Sequence, residues 1–449
     1  MNAQVIPRMH RAIYDRSVDP AMASIVARER QKSLMLRAWI ATGLFFMALP
    51  GTLLGFSNLM AIATHHGLGT LSPAWIQGHG HAQVFGWIGS FILGIGFYSQ
   101  PALKDRSVLR LPLACFLLWT VGVALRWTAS IYGWHWRVLL PVSAAMEVAA
   151  IVLFLTAASH HKLPENGQKN AQRAKVELWM ATVLVGTAGL TLMVLFNFVE
   201  CVRLSMEGTA PAFPHGLDQR YLVLLAWGFL VPFVWGFSAR WLPTFLAVRR
   251  PSSKLMKAAL ALAITGVLAG LDGFVLAATI LLLAGAVLIA PALHLLERPQ
   301  GKAKVQGIHP SFPVFARLSY LWLAIAAALG VWAALADQHG GIWGASRHAL
   351  TVGFAANMVF TIGPRILPHF AGVRKLFSRP LMLLSLVLLQ VGCTLRVSSE
   401  PLAYEGIFHF AWKTLPISGM LELSAVLVFA LNMGLTVLAG QSVFAEEQA

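Results

Sequence analysis

A chain of 449 residues that is 57% hydrophobic and only 12% charged lies far from the roughly 25% charged composition of soluble domains. Its formal net charge of +16 sits mainly in short polar stretches between apolar runs, which argues against a nucleic-acid site. Three isolated cysteines, Cys115, Cys201 and Cys393, form no CxxC and no CxxCH, so neither a thiolate zinc centre nor covalently attached haem is expected.

Residues 1–37 are polar and carry Arg8, Arg11, Arg16, Arg28, Arg30, Lys32 and Arg37, with no apolar core ahead of them. That pattern predicts a cytoplasmic extension over 1–35 and no signal peptide. Apolar stretches long enough to cross a bilayer then follow at 36–62, 78–100, 109–131, 137–158, 176–200, 221–247, 257–271, 274–296, 315–336, 345–371, 379–397 and 413–438. The expectation is an all-α polytopic membrane protein, its twelve-helix domain covering 36–440 and a cytoplasmic tail covering 441–449. The seventh and eighth spans are separated only by "GLDG" at 270–273.

Lys and Arg recur at the N-terminus and after the even-numbered spans: Lys104, Arg106 and Arg110; Lys162, Lys169, Arg173 and Lys175; Arg249, Arg250, Lys254 and Lys257; Arg298, Lys302, Lys304 and Arg317; Arg374, Lys375 and Arg379. Connectors after odd-numbered spans carry few. The bias predicts both termini in the cytoplasm, with the basic residues facing anionic lipid headgroups of a lipid bilayer.

In that orientation the second span opens with "WIQGHGHAQVFGW" and the tenth with "SRHALTVGF", so His79, His81 and His348 all fall near the outer leaflet. Imidazoles on facing membrane helices are suited to hold b-type haem without a covalent link. Positions i and i+2 diverge by about 200° on an α-helix, so His79 and His81 are not expected to share one metal. On the face of His79 follow Ala82, Gly86 and Ser90, small enough to admit a macrocycle. This favours His79 with His348 as axial ligands and keeps His81 as the alternate. Arg126, ending the third span, and Arg396, ending the eleventh, are placed to pair with haem propionates.

Six more histidines near the same boundary, together with His81, are candidates for a second metal such as copper: His135, His215, His409, His65, His66 and His339. Their spacing selects no set. His369 lies near the far end of the tenth span, about 30 Å of helix from His348. Glu147 and Glu422 are intramembrane carboxylates, readable as proton relays, as partners of a metal-binding histidine, or as packing locks.

The segments "HGHAQVFGW", "WGFSARWLPTF" and "RHALTVGFAANMVFTIGPRILPHFAG" together resemble the NnrS family of bacterial inner-membrane proteins, which contain haem and copper and are associated with nitric oxide stress. That family is in turn similar to subunit I of haem-copper oxidases and nitric oxide reductases, and the resemblance implies an oxidase-like bundle. His79, with Phe97 and Tyr98 ending its span, and His348, followed by Gly353, Pro368 and Gly372, match the oxidase ligands of the low-spin haem. The departures are Ser346 where oxidases carry the ligand of the catalytic haem, no histidine within the sixth span, and Ala82 where NnrS proteins carry an acid. A conventional binuclear centre is not expected.

The function these features imply is haem-dependent handling of nitric oxide or a related redox ligand at the bacterial cytoplasmic membrane, with the haem near the periplasmic side. Two further readings are a cytochrome b-like electron-transfer protein or quinol-linked oxidoreductase, its electron donor a quinol or a cytochrome, and a haem or metal transporter. Turnover as an oxidoreductase is left open.

Overall fold

The structure is a computed structural model that describes residues 20–69, 71–99, 110–159, 176–373 and 375–438, with side chains from residue 29 onward. Helices build the described residues, and twelve of these helices are long and apolar enough to cross a membrane: α1 (Glu29–His65), α2 (Pro73–Ser99), α3 (Arg110–Tyr132), α4 (Trp136–Ser159), α5 (Leu178–Glu207), α6 (His215–Leu246), α7 (Ser253–Leu271), α8 (Val275–Ala292), α9 (Phe312–Ala336), α10 (Gly341–Phe370), α11 (Arg379–Tyr404) and α12 (Ala411–Leu438). Each expected span is recovered within a few residues at most ends. The turn at "GLDG" does separate α7 from α8: α7 stops at Leu271, and Gly273 takes a φ of +94°, which lets the chain reverse. The ends 1–19 and 439–449, and the basic residues Lys104, Arg106, Lys162, Lys169, Arg173, Lys175 and Arg374, lie outside the described residues.

Consecutive helices pack against one another around the bundle, and α12 packs back against α1. The helices are not equally enclosed. In α2, α6 and α10, respectively 61, 67 and 67% of the most apolar stretch is buried, against no more than 44% in any other span. These three therefore form the inner wall, and the other nine meet lipid along one side. This is the expected consequence of a bilayer solvent, in which only the protein-facing stripe of an outer helix needs shape complementarity.

Four stretches depart from α-helical geometry by widening into π-helix: Met47–Leu53 in α1, Ala82–Gly89 in α2, Leu224–Leu230 in α6 and Ala349–Ala356 in α10. Three of the four lie in the inner helices. The α1 stretch contains Pro50, which cannot donate a backbone hydrogen bond. Side chains help satisfy the loosened turn: Thr52 Oγ1 donates to the Met47 carbonyl (2.8 Å), and Gln83 Nε2 of α2 donates to Thr52 Oγ1 (2.8 Å). Inside a membrane, such repair is what allows an irregular turn to persist.

Close packing of α5 against α6 rests on glycine. A Cβ on Gly189 would collide with the Gly228 carbonyl of the α6 π-stretch, so the two backbones approach to a separation that no larger residue permits.

Candidate functional site

The α2 and α10 histidines lie at the junctions between regular and π-helix. The α2 widening begins one residue after His81, and the α10 widening begins directly after His348. Single wide turns of this kind recur at functional sites, because they redirect side chains and free carbonyls at modest cost.

His79 Nδ1 donates to the carbonyl of Gly51 (2.9 Å) in the widened turn of α1. That bond fixes the imidazole's orientation and leaves Nε2 without a hydrogen-bond partner among the described residues. His348 Nδ1 donates to the Gly344 carbonyl one turn back (2.9 Å) and stands 3.2 Å from Oε2 of Glu400 on α11. Its Nε2 is likewise unpartnered. The two imidazoles lie within electrostatic reach of each other and of Arg396.

Glycines make both approaches. A Cβ on Gly55 would meet His79 Cε1 at 2.5 Å, and one on Gly344 would collide with the Glu400 carboxylate. The small residues beside His79 therefore come from α1 and not from its own helix face. The reason is the wide turn after His81, which rotates the downstream residues away from their α-helical register. Gly86 instead receives Phe46 of α1, and Trp87 packs edge-on against Phe360 of α10.

Arg396 is buried at 6% exposure, with Nε 3.3 Å from Glu400 Oε2. Its Nη1 has no hydrogen-bond partner, so a guanidinium donor is held ready in a water-poor place. Glu422 of α12 lies within reach of the same charges, and its Oε1 is unpartnered. Glu400 is the residue that sequence reasoning passed over. The available signal was the i, i+4 spacing of Arg396 and Glu400, which puts both on one face of α11.

His81 and Arg126 belong to a second buried group. His81 Nε2 and Glu147 Oε1 are 2.8 Å apart, and Asn197 Nδ2 donates to Glu147 Oε2 (3.1 Å). The His81 ring stacks on Phe85, which stacks on Trp119. Arg126 Nη1 donates to Cys201 Sγ (2.9 Å), and its guanidinium lies over the Phe213 ring. Glu147 thus partners a histidine, as one of its readings required, but the histidine is His81. His81 Nε2 is committed to Glu147, which leaves only its Nδ1 without a partner among the described residues.

The remaining candidate histidines lie apart from the His79–His348 site. His135 is exposed in the α3–α4 turn beside Trp134, His215 is exposed at the start of α6, His409 meets His66 edge-on, and His339 pairs with Glu405 at 3.2 Å. Exposed His65 bonds the Ala61 carbonyl, and His369 sits beside Phe370 at the far end of α10. Among the described residues no group of three or more His, Cys, Asp or Glu gathers to hold a metal ion. Ser346 donates to the Ala326 carbonyl of α9 (2.8 Å).

A family described as a domain of unknown function (DUF8744) matches residues 222–438, from within α6 to the end of α12. That is just under half of the chain, and it includes His348, Arg396 and Glu400 but not His79. No curated protein matches the chain.

Proposed function

We propose that this chain is a multi-pass, haem-binding redox protein of the bacterial cytoplasmic membrane, in which His79 and His348 would hold the haem. The observation that carries the reading is the shared arrangement of these two imidazoles. Each has Nδ1 tied to a backbone carbonyl, each has Nε2 free, and the two come from inner helices and face common ground. A neutral imidazole whose Nδ1–H is held by an acceptor is the form that ligates iron.

The surroundings fit a haem. Arg396 offers the unpartnered Nη1 for a propionate, the Glu400 carboxylate 3.2 Å from Nδ1 polarises His348 through its charge, and Gly55 lets α1 approach the His79 ring closely. A haem bound there supplies one-electron chemistry. What the chain contributes is ligand orientation, a low-dielectric setting and a carboxylate–guanidinium pair that stabilises added positive charge on His348. The inner position of α2 and α10 in a twelve-helix bundle supports the oxidase-like arrangement, and the resemblance to NnrS proteins supports nitric oxide or a related small ligand as the species handled. Copper has less support, because only His66 and His409 of the candidate histidines come together and no third ligand joins them among the described residues.

A haem held by both His79 and His348 would take a further small ligand only in exchange for one of these side chains. His348 is the exchangeable one, with its side chain 27% exposed and its backbone acceptor on its own helix. Optical and EPR spectra of the purified protein, oxidised and reduced, with and without nitric oxide, test this reading. A low-spin bis-imidazole spectrum that converts to a nitrosyl signal supports it. Protein that purifies without haem and takes up none on reconstitution ends it.

A further inference from the structure

The α7–α8 hairpin is short. Its helices have 19 and 18 residues against 32 in α6 and 30 in α10, or roughly 28 and 27 Å against 48 and 45 Å at 1.5 Å per residue. The hairpin therefore stops below the histidine end of its neighbours, and a cleft of about 680 Å³ opens above its turn between α6, α8, α9 and α10. That size lies within the range of small-molecule sites.

The lining divides by chemistry. Small or aliphatic residues, among them Ala278, Ala326 and Gly330, form the deep part. Toward the start of α6 and α10 the lining carries Arg220, His215, Gln219 and the indole of Trp343, with the Trp227 indole further along α6. Gln219 gives its Oε1 to Arg347, which leaves its amide N–H groups as donors. Neither indole N–H has a partner among the described residues, and no carboxylate lines the cleft. Donors and positive charge thus dominate a site that has a greasy floor.

The turn beside the cleft carries exposed Asp272 between open apolar residues: Leu268 is 61%, Phe274 63% and Val275 45% exposed. A hairpin of this length, ending in bare Phe and Val, lies in the edge of the hydrocarbon layer. The cleft is accordingly reached from lipid, and its ligand is a membrane-soluble molecule. The wall at α10 includes Ser346, which points about 200° away from His348 on the same helix. One helix thickness separates the cleft from the His79–His348 site.

We propose that this cleft binds a lipid-soluble quinone, its carbonyl oxygens accepting hydrogen bonds from Arg220 and Gln219 and its ring lying among the indoles. A quinone matches each feature: acceptor-rich polar head, flat ring, apolar tail and entry from the bilayer. The proposal concerns binding alone and holds with or without haem at the histidines.

An azido-quinone photoprobe, applied to the full-length protein in nanodiscs, tests it by peptide mapping with decylubiquinone or oleate as competitor. Labelling within 215–227, 270–282 or 326–346 that decylubiquinone suppresses and oleate does not is the expected result. Gly330→Leu, which fills the cleft where a Cβ meets only Ser346 Oγ at 3.5 Å and Thr279 Cγ2 at 3.7 Å, abolishes the labelling. The exposed Arg220→Gln weakens binding by about tenfold through loss of a charged donor, while Lys413→Gln at the same end leaves it unchanged. Labelling spread over lipid-facing helices, equal competition by oleate, or indifference to both cleft variants overturns the proposal. Because the readout is labelling, a haem-loaded protein that fails this test leaves the axial assignment standing.

Discussion

The Glu400 carboxylate stands 3.2 Å from Nδ1 of His348, joining α11 to α10 at a side chain whose other ring nitrogen is free. A carboxylate this close makes a ligand imidazole more basic through its charge, while the Gly344 carbonyl holds the ring orientation, and loss of such an outer partner typically costs about 10–100-fold in metal affinity or activity. Glu400→Gln is therefore expected to lower haem retention by about that factor, with a shift of the midpoint potential to more positive values. Redox titration and haem content of the purified variant check both. An unchanged potential would show that Glu400 is only a packing partner of Arg396.

The two histidines of the HGH segment are expected to separate cleanly. His79→Ala removes bound haem, whereas His81→Ala leaves a bis-imidazole spectrum while destabilising the fold. Removing one partner of a buried charged or hydrogen-bonded pair costs on the order of 3–5 kcal/mol, and Glu147 is fully buried against His81. Thermal unfolding followed by intrinsic fluorescence, read alongside the Soret band, distinguishes the two. Haem loss in His81→Ala at a temperature where the fold persists would reverse the assignment.

Gly55 tests the position of the His79 ring. A methyl there would sit 2.5 Å from Cε1 and 2.7 Å from Nδ1, so Gly55→Ala has to push the imidazole off the Gly51 carbonyl. Overpacking of this kind costs about 1–3 kcal/mol. The expected outcome is a folded protein with altered low-spin EPR g-values or reduced haem content. Gly67→Ala, in a loop where a Cβ would meet nothing, serves as the control with an unchanged spectrum.

At the basic end, Glu297 just beyond α8 accepts from Arg249 Nε (2.8 Å), and His294 Nδ1 lies 2.8 Å from its Oε1. The bond from Arg249, with that from His294, pulls the Glu297 carboxyl down from 4.5 to about 2. A lowered folded-state value means that the contribution is fully present above pH 4.5 and fades as pH falls toward 2. Limited proteolysis of the 293–311 connector by pepsin should therefore accelerate across that window. Glu297→Gln should cut rapidly at pH 4.5 already and lose the dependence, and equal pH profiles for the two proteins would refute the link.

Much of the architecture was written in local pattern. Apolar runs of sufficient length delimit each helix regardless of what it packs against, because a bilayer forces every spanning backbone to satisfy itself. Asp272 and Gly273 end α7 by turn chemistry alone. The shared level of His79 and His348 also followed from span order and charge bias, without reference to a neighbour.

What the sequence could not supply was direction around each helix axis. Reading His79 with Ala82, Gly86 and Ser90 assumed 3.6 residues per turn, and the widened turns after His81 and His348 change that count. Such turns depend on donors from other helices, as Gln83 serves α1, so they are set by tertiary packing. The same holds for the division of partners that gives His81 to Glu147, His348 to Glu400 and Arg126 to Cys201. Helix existence and depth are properties of one segment in lipid, legible in its own residues. Which nitrogen of His79 and His81 is tied and which is free depends on groups of other helices, Gly51 and Glu147, and only the packed bundle decides it.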